Sequence, residues 1–307
     1  MIRNGTLAGR LSANAEAVLW VTLATAIFSI IFAAPKMAGD AGATFQILLL
    51  RYVGGLATLL AMVALRRQPL SVYRSARPLS HLGRAATGGL GGCCIMFASA
   101  AMPIADATAI GLLYGVFAVL FGVLLLGETV CGRHWRAALL CAGGAAVVVA
   151  GQGAFSGAFA GADGGTLVPV AVALLGALLL AIESVQLRIL SIAERPLTVL
   201  LYVNVFGIAL MAGPAIATWG TRSLHSLLPF AALGPLAITA QYCNVRGYRL
   251  GPIALLAPVE YSWLGFAALL GLVAFGEVPG PATLAGSALI LVGGVALARL
   301  PAPATAR

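Results

Sequence analysis

The chain has 307 residues, of which 61% are hydrophobic and 9% charged, with a net charge of +9. Soluble domains carry about 25% charged residues, so this composition leaves no room for a sizeable soluble domain and describes a chain that lives in lipid. The basic excess is arginine scattered between apolar runs, which marks the cytoplasmic side of a membrane protein rather than a nucleic-acid surface.

The N-terminal tail, Met1 to Glu16, is basic like a signal peptide. The apolar run that follows is too long for a signal h-region and has no clean small-residue cleavage site, so it reads as the first helix. Charge-free stretches then recur: Val18 to Pro35, Tyr52 to Leu65, Ala107 to Gly127, Ala137 to Ala162 and Val278 to Ala298. About 20 apolar residues cross about 30 Å of hydrocarbon. The pattern predicts an all-α polytopic membrane protein with ten transmembrane helices: 17–37, 44–65, 84–102, 104–126, 134–152, 167–188, 198–218, 227–247, 252–275 and 282–299. Nearly every arginine then falls on the side holding both termini, from Arg3 and Arg10 through Arg66, Arg133 and Arg195 to Arg299, while the opposite side has only Lys36 and Arg222. Both termini are therefore expected in the cytoplasm of a bacterial-type inner membrane.

Laying Pro103 to Gly151 over Pro252 to Leu300, an offset of 149, aligns Pro103-Ile104-Ala105 with Pro252-Ile253-Ala254 and Gly127-Glu128 with Gly276-Glu277. Each copy holds five helices, an odd number, so the second enters from the opposite side. This predicts a 5+5 inverted-topology repeat, an arrangement that recurs among secondary transporters. Residues 1–152 form the first unit, 153–166 a Gly/Ala-rich external linker and 167–307 the second unit.

Arg249-Leu-Gly-Pro-Ile-Ala-Leu-Leu-Ala-Pro-Val-Glu260-Tyr-Ser-Trp, then Phe275-Gly-Glu277-Val-Pro279 and the Gly-rich run to Gly294, resemble the EamA type of the drug/metabolite transporter superfamily. Leu126-Gly-Glu128 and the Arg51-Tyr52 pair carry the resemblance into the first copy. It covers essentially the whole chain and implies a central cavity through which small organic solutes cross the inner membrane. Family members often carry a proline about thirteen residues before each Gly-Glu glutamate. Here those positions hold Gly115 and Leu264, and Pro258 is the candidate for the helix break.

Ionisable groups inside a bilayer cost a few kcal/mol, so each is a functional candidate. Glu260 lies eight residues past Pro252, about 12 Å deep at 1.5 Å per residue. It is expected to bind substrate or proton, or else to be a protonated or arginine-paired structural residue. Arg51, seven residues into the second helix, either reads a substrate carboxylate or phosphate or neutralises Glu260 or Glu183. Glu183 lies near the end of the sixth helix, where a salt bridge is the simpler role, and Asp106 suits a helix N-terminus. Tyr114 and Trp263 are equivalent in the two copies. With Tyr261 they offer rings for stacking, while Gln241, Asn244 and Asn204 offer amides.

Gly127, Glu128, Gly276 and Glu277 are expected to end helices at the external surface, in a structural or gating role shared with Pro258. No phosphate-binding Gly-rich loop, metal motif or catalytic motif is present. The five cysteines (Cys93, Cys94, Cys131, Cys141, Cys243) lack ligand spacing and read as small buried hydrophobes. The expected protein is a secondary transporter without cofactor or metal, working on a small metabolite by alternating access. Efflux is the favoured direction. Uptake of a vitamin or nucleoside-like cofactor such as riboflavin or S-adenosylmethionine is the alternative, and a membrane-embedded enzyme or channel is remote. Proton coupling is a plausible step at Glu260, and nothing in the sequence fixes the oligomeric state.

Overall fold

A computed structural model describes residues 13–32, 44–101, 110–151, 164–220, 223–276 and 278–300. Backbone polar groups in hydrocarbon must be satisfied within the segment, which leaves long apolar runs the helix as their solution. The described residues form helices α1 (Ala13–Phe32), α2 (Thr44–Leu65), α3 (Pro78–Ala101), α4 (Leu113–Leu126), α5 (Gly132–Gly151), α6 (Gly164–Ala193), α7 (Pro196–Ala217), α8 (Leu233–Leu250), α9 (Trp263–Phe275) and α10 (Pro281–Arg299). Short helical turns at Leu224–Leu227 and Leu228–Ala232 lead into α8, and Ile253–Leu256 and Val259–Ser262 lead into α9. Eight segments of the described chain are long and apolar enough to cross a membrane.

The boundaries depart from the sequence reading wherever a charge finds a partner. The third predicted helix was cut at Arg84, but α3 starts at Pro78, a residue suited to a first helical turn. Arg84 lies inside it because its Nε donates to Glu183 of α6 at 2.7 Å. The sixth was cut at Arg188, yet α6 runs to Ala193, and the Arg188 guanidinium donates to the Tyr248 carbonyl. The start of α6 at Gly164 also takes the last three residues of the predicted linker; residues 153–163, like Lys36, Asp106, Arg222 and Glu277, lie outside the described residues. The predicted 252–275 helix is broken, as Pro258 suggested: a 3₁₀ turn at Val259–Ser262 separates Ile253–Leu256 from α9.

Shifting α1 to α5 by 149 residues places each of them over one of α6 to α10. Packing repeats the relation. α1 lies on α8 as α6 lies on α3, and α2 lies on α8 as α7 lies on α3, while α2 packs on α7 and α5 on α10. Tyr261 Oη donates to the carbonyl of Leu112 at 2.8 Å, and the Cys141 thiol to that of Ile290 at 3.6 Å; both pairs join residues separated by 149. At the α5–α10 crossing a Cβ on Gly144 would lie 2.6 Å from the Gly286 oxygen, and one on Gly293 would lie 3.0 Å from the Ala137 oxygen. The helices touch backbone to backbone, as small residues allow in membranes. α4 and α9 end on matched left-handed glycines, Gly127 (φ 65°) and Gly276 (φ 70°), a conformation that costs a side-chain-bearing residue.

Candidate functional site

The break after Pro258 determines what surrounds Glu260. Its 3₁₀ turn carries the Glu260 side chain toward the first turn of α4 and the last turns of α8. Tyr114 Oη donates to Glu260 Oε2 and Tyr248 Oη to Glu260 Oε1, each at 2.7 Å. Tyr248 is fully buried, whereas Tyr114 and Glu260 are half-buried. No Lys, Arg or His pairs with Glu260 among the described residues.

The surrounding shell fixes these groups. The Tyr114 and Tyr261 rings meet edge to face, 6.2 Å between centroids at 77°. Gly115 leaves the space that the Tyr261 phenol occupies on its way to Leu112. Thr25 Oγ1 lies 2.8 Å from the Thr22 carbonyl and 2.9 Å from Ser262 Oγ. Thr25 has one hydroxyl proton, which goes to Thr22, so Ser262 donates to Thr25 and ties the 3₁₀ turn to α1.

Along α8, Gln241, Asn244 and Tyr248 share one face at i, i+3 and i+7. Gln241 Oε1 and Asn244 Oδ1 are buried acceptors with no hydrogen-bond partner. Buried acceptors without partners are uncommon and point to a missing donor. Asn204 Nδ2 donates to the Leu200 carbonyl at 2.8 Å, and Trp263 opens α9 packed against the main core.

Arg51 does not join this group. It is buried, with its guanidinium carbon 4.3 Å over the Tyr52 ring and its Nε without a partner. The expectation that it neutralises Glu260 or Glu183 fails, because Arg84, which the sequence reading passed over, holds Glu183. Glu128 corrects a second expectation. Instead of meeting an external loop it is 2% exposed, and its Oε1 and Oε2 accept the backbone N–H of Ile253 and Ala254, each at 2.9 Å. Two charge-assisted bonds to the free amides of a helical first turn make Glu128 a clamp between the α4–α5 connection and the turn after α8. Tyr248 was also missed. The signal available for it was its register with Gln241 and Asn244.

Two tyrosines from different parts of the chain thus hold one carboxylate inside an apolar helical protein. Comparison with known proteins gives the family. A model of the EamA-like transporter family matches residues 15–150. The riboflavin transporter of Rhizobium johnstonii is 30% identical over 243 residues, covering 77% of this chain and 76% of that protein. The chain belongs to the EamA-like transporter family. The pseudopaline exporter of Pseudomonas aeruginosa is 28% identical to this EamA-like protein over 288 residues, covering 92% of this chain and 95% of that one. A solved crystal structure superimposes with a TM-score of 0.76 at 24% identity, over 94% of this chain and 98% of that chain, a likeness of fold. This EamA-like protein is an integral membrane transporter of small metabolites.

Proposed function

We propose that the chain is a proton-coupled secondary transporter of ten spans, built from two inverted five-helix units (1–152 and 167–307), with both termini in the cytoplasm of an inner membrane. Proton and cargo meet at Glu260. The observation that carries this reading is the Glu260 carboxylate, bonded to one tyrosine from each unit and paired with no cation among the described residues. A carboxylate without a counter-ion in an apolar protein is costly, so it holds either a proton or a donor group of the cargo. Exchange between the two couples their movements. Packing that repeats under the 149-residue shift supports the two-unit architecture, because related interfaces let one unit rock against the other around a fixed site. Glu260, Tyr114 and Tyr248 bind proton and cargo; Gln241 and Asn244 accept hydrogen bonds from the cargo; Tyr261 and Trp263 bound its ring. Glu183, bonded to Arg84, and Glu128 are structural.

Efflux is the proposed direction, consistent with the exporter that aligns over 92% of the chain. Uptake is the second reading, and riboflavin, the cargo named for a relative of 30% identity, is the cargo that tests it. Proteoliposomes loaded with riboflavin or pseudopaline and given a pH gradient of either sign test both. The expected result is movement of one cargo against its gradient when protons run the other way, abolished in Glu260→Gln. Cargo movement that ignores the pH gradient, or that persists in Glu260→Gln, overturns the proposal.

A further inference from the structure

A groove of about 550 Å³ opens between α1, α9 and α10. Its α10 wall is a continuous stripe: Ser287, Ile290, Leu291, Gly294, Val295, Ala298 and Arg299. The twelve steps from Ser287 to Arg299 rise about 18 Å at 1.5 Å per residue, close to the depth of one leaflet, about half of 30 Å. The walls are apolar except for a few hydroxyls, and the far end carries the exposed Arg299 guanidinium. The floor is kept open by glycine: a Cβ on Gly294 would meet nothing within 4 Å, and one on Gly265 would meet only Ser287, at 3.4 Å or more.

The carboxylate beside the groove is already committed. Glu16, beside the groove residue Ala15, accepts from Trp20 Nε1 at 3.1 Å and lies 3.8 Å from Arg246. Arg299 has no carboxylate partner among the described residues. A groove one leaflet deep, apolar along its length and cationic at its mouth, matches one molecule already present in the bilayer.

We infer that this groove binds a phospholipid with an anionic head group, its phosphate on Arg299 and one acyl chain laid along α10 toward Ser287. Arginine forms charge-assisted, paired hydrogen bonds to phosphate, and anionic lipid surfaces attract such groups. The inner part of the groove is lined by Val259 and Ser262, which flank Glu260 and its turn, and Ser262 is tied to Thr25 of α1. The acyl chain therefore braces α1 against the 3₁₀ turn that carries the transport carboxylate.

The test is native mass spectrometry of the full-length protein, released from detergent after titration with phosphatidylglycerol or with diacylglycerol of the same chains. Wild type is expected to retain one phosphatidylglycerol and no diacylglycerol. Gly294→Phe, which fills open space, is expected to lose that adduct while melting within a few degrees of wild type when lipid-free. Arg299→Gln is expected to bind phosphatidylglycerol about tenfold more weakly. If Gly294→Phe does not fold, Leu291→Trp replaces it, since Leu291 already lines the groove and is exposed. Retention of phosphatidylglycerol by the filled variant, or equal retention of the two lipids by wild type, overturns the inference.

Discussion

Glu128 and Glu260 are both carboxylates taken into an apolar helical protein, and each accepts two hydrogen bonds, yet their donors differ in kind. Glu128 accepts from two backbone amides whose positions the chain fixes, and it is 2% exposed. Glu260 accepts from two phenol hydroxyls, which rotate about one bond each, and it stays half-buried. Backbone donors cannot turn away, so the Glu128 carboxylate is committed to one partner set. Phenol protons can be redirected, and a redirected hydroxyl can accept from a protonated carboxyl or make way for a cargo donor. Identical side chains thus meet fixed donors in one place and, in the function proposed for Glu260, exchangeable donors in the other, and the difference lies in what donates to them.

The largest effect separates the two functions. Glu260→Gln is expected to lower pH-driven transport in proteoliposomes about a hundredfold while leaving the melting temperature near wild type. Glu128→Ala is expected to do the reverse: two buried backbone N–H groups lose their acceptors at about 1–3 kcal/mol each, so chemical denaturation should register a loss of about 2–6 kcal/mol. Glu128→Gln keeps one acceptor oxygen and should fall between Ala and wild type. Equal stability losses at both positions would mean that Glu260 is a clamp too.

Tyr114→Phe and Tyr248→Phe probe the rotating donors themselves. Each removes one hydrogen bond to an ionisable group, worth about 1.5 kcal/mol at the low end, so each should cost about tenfold in transport rate with the fold intact. The double variant should cost less than the product, because both hydroxyls serve one carboxylate. A Tyr248 variant that unfolds while the Tyr114 variant does not would assign Tyr248 to the core, where its ring is fully buried.

The helices were legible from apolar run length, and the break at Val259–Ser262 from Pro258, because both depend on the local chain. The offset of 149 read from the two Gly-Glu pairs is also the separation of Tyr261 and Leu112. Helix ends at Arg84 and Arg188 were not: each arginine stays inside a helix because of a partner 99 or 60 residues away. The Glu128 clamp eluded sequence reading for the same reason. Its Gly-Glu pair was visible, but the amides it holds lie 125 and 126 residues downstream, across a contact that only packing creates. Glu260 stood out by its charge in an apolar run, whereas its partner Tyr248 carries no charge and was not singled out.

The smallest expected effect gives a local reporter on the clamp. Cys131, three residues beyond Glu128, is exposed, with its sulfur 3.0 Å from His134 Nδ1 at the start of α5. The backbone N–H groups of His134 and then Arg133 reach the thiol and hold it below the usual cysteine range. A lowered thiol is a thiolate at lower pH, so maleimide labelling of Cys131 should rise at a lower pH than that of a free model thiol. Cys141 and Cys243 are buried and should label slowly if at all. Glu128→Ala frees the α4–α5 connection from Ile253 and should move the Cys131 pH profile back toward that of an ordinary thiol, as the amide contacts loosen. Glu260→Gln should leave the profile unchanged. A profile that shifts equally in both variants would show the two carboxylates to be coupled through the Ile253–Ser262 segment, and the division into clamp and site would then give way to a single connected unit.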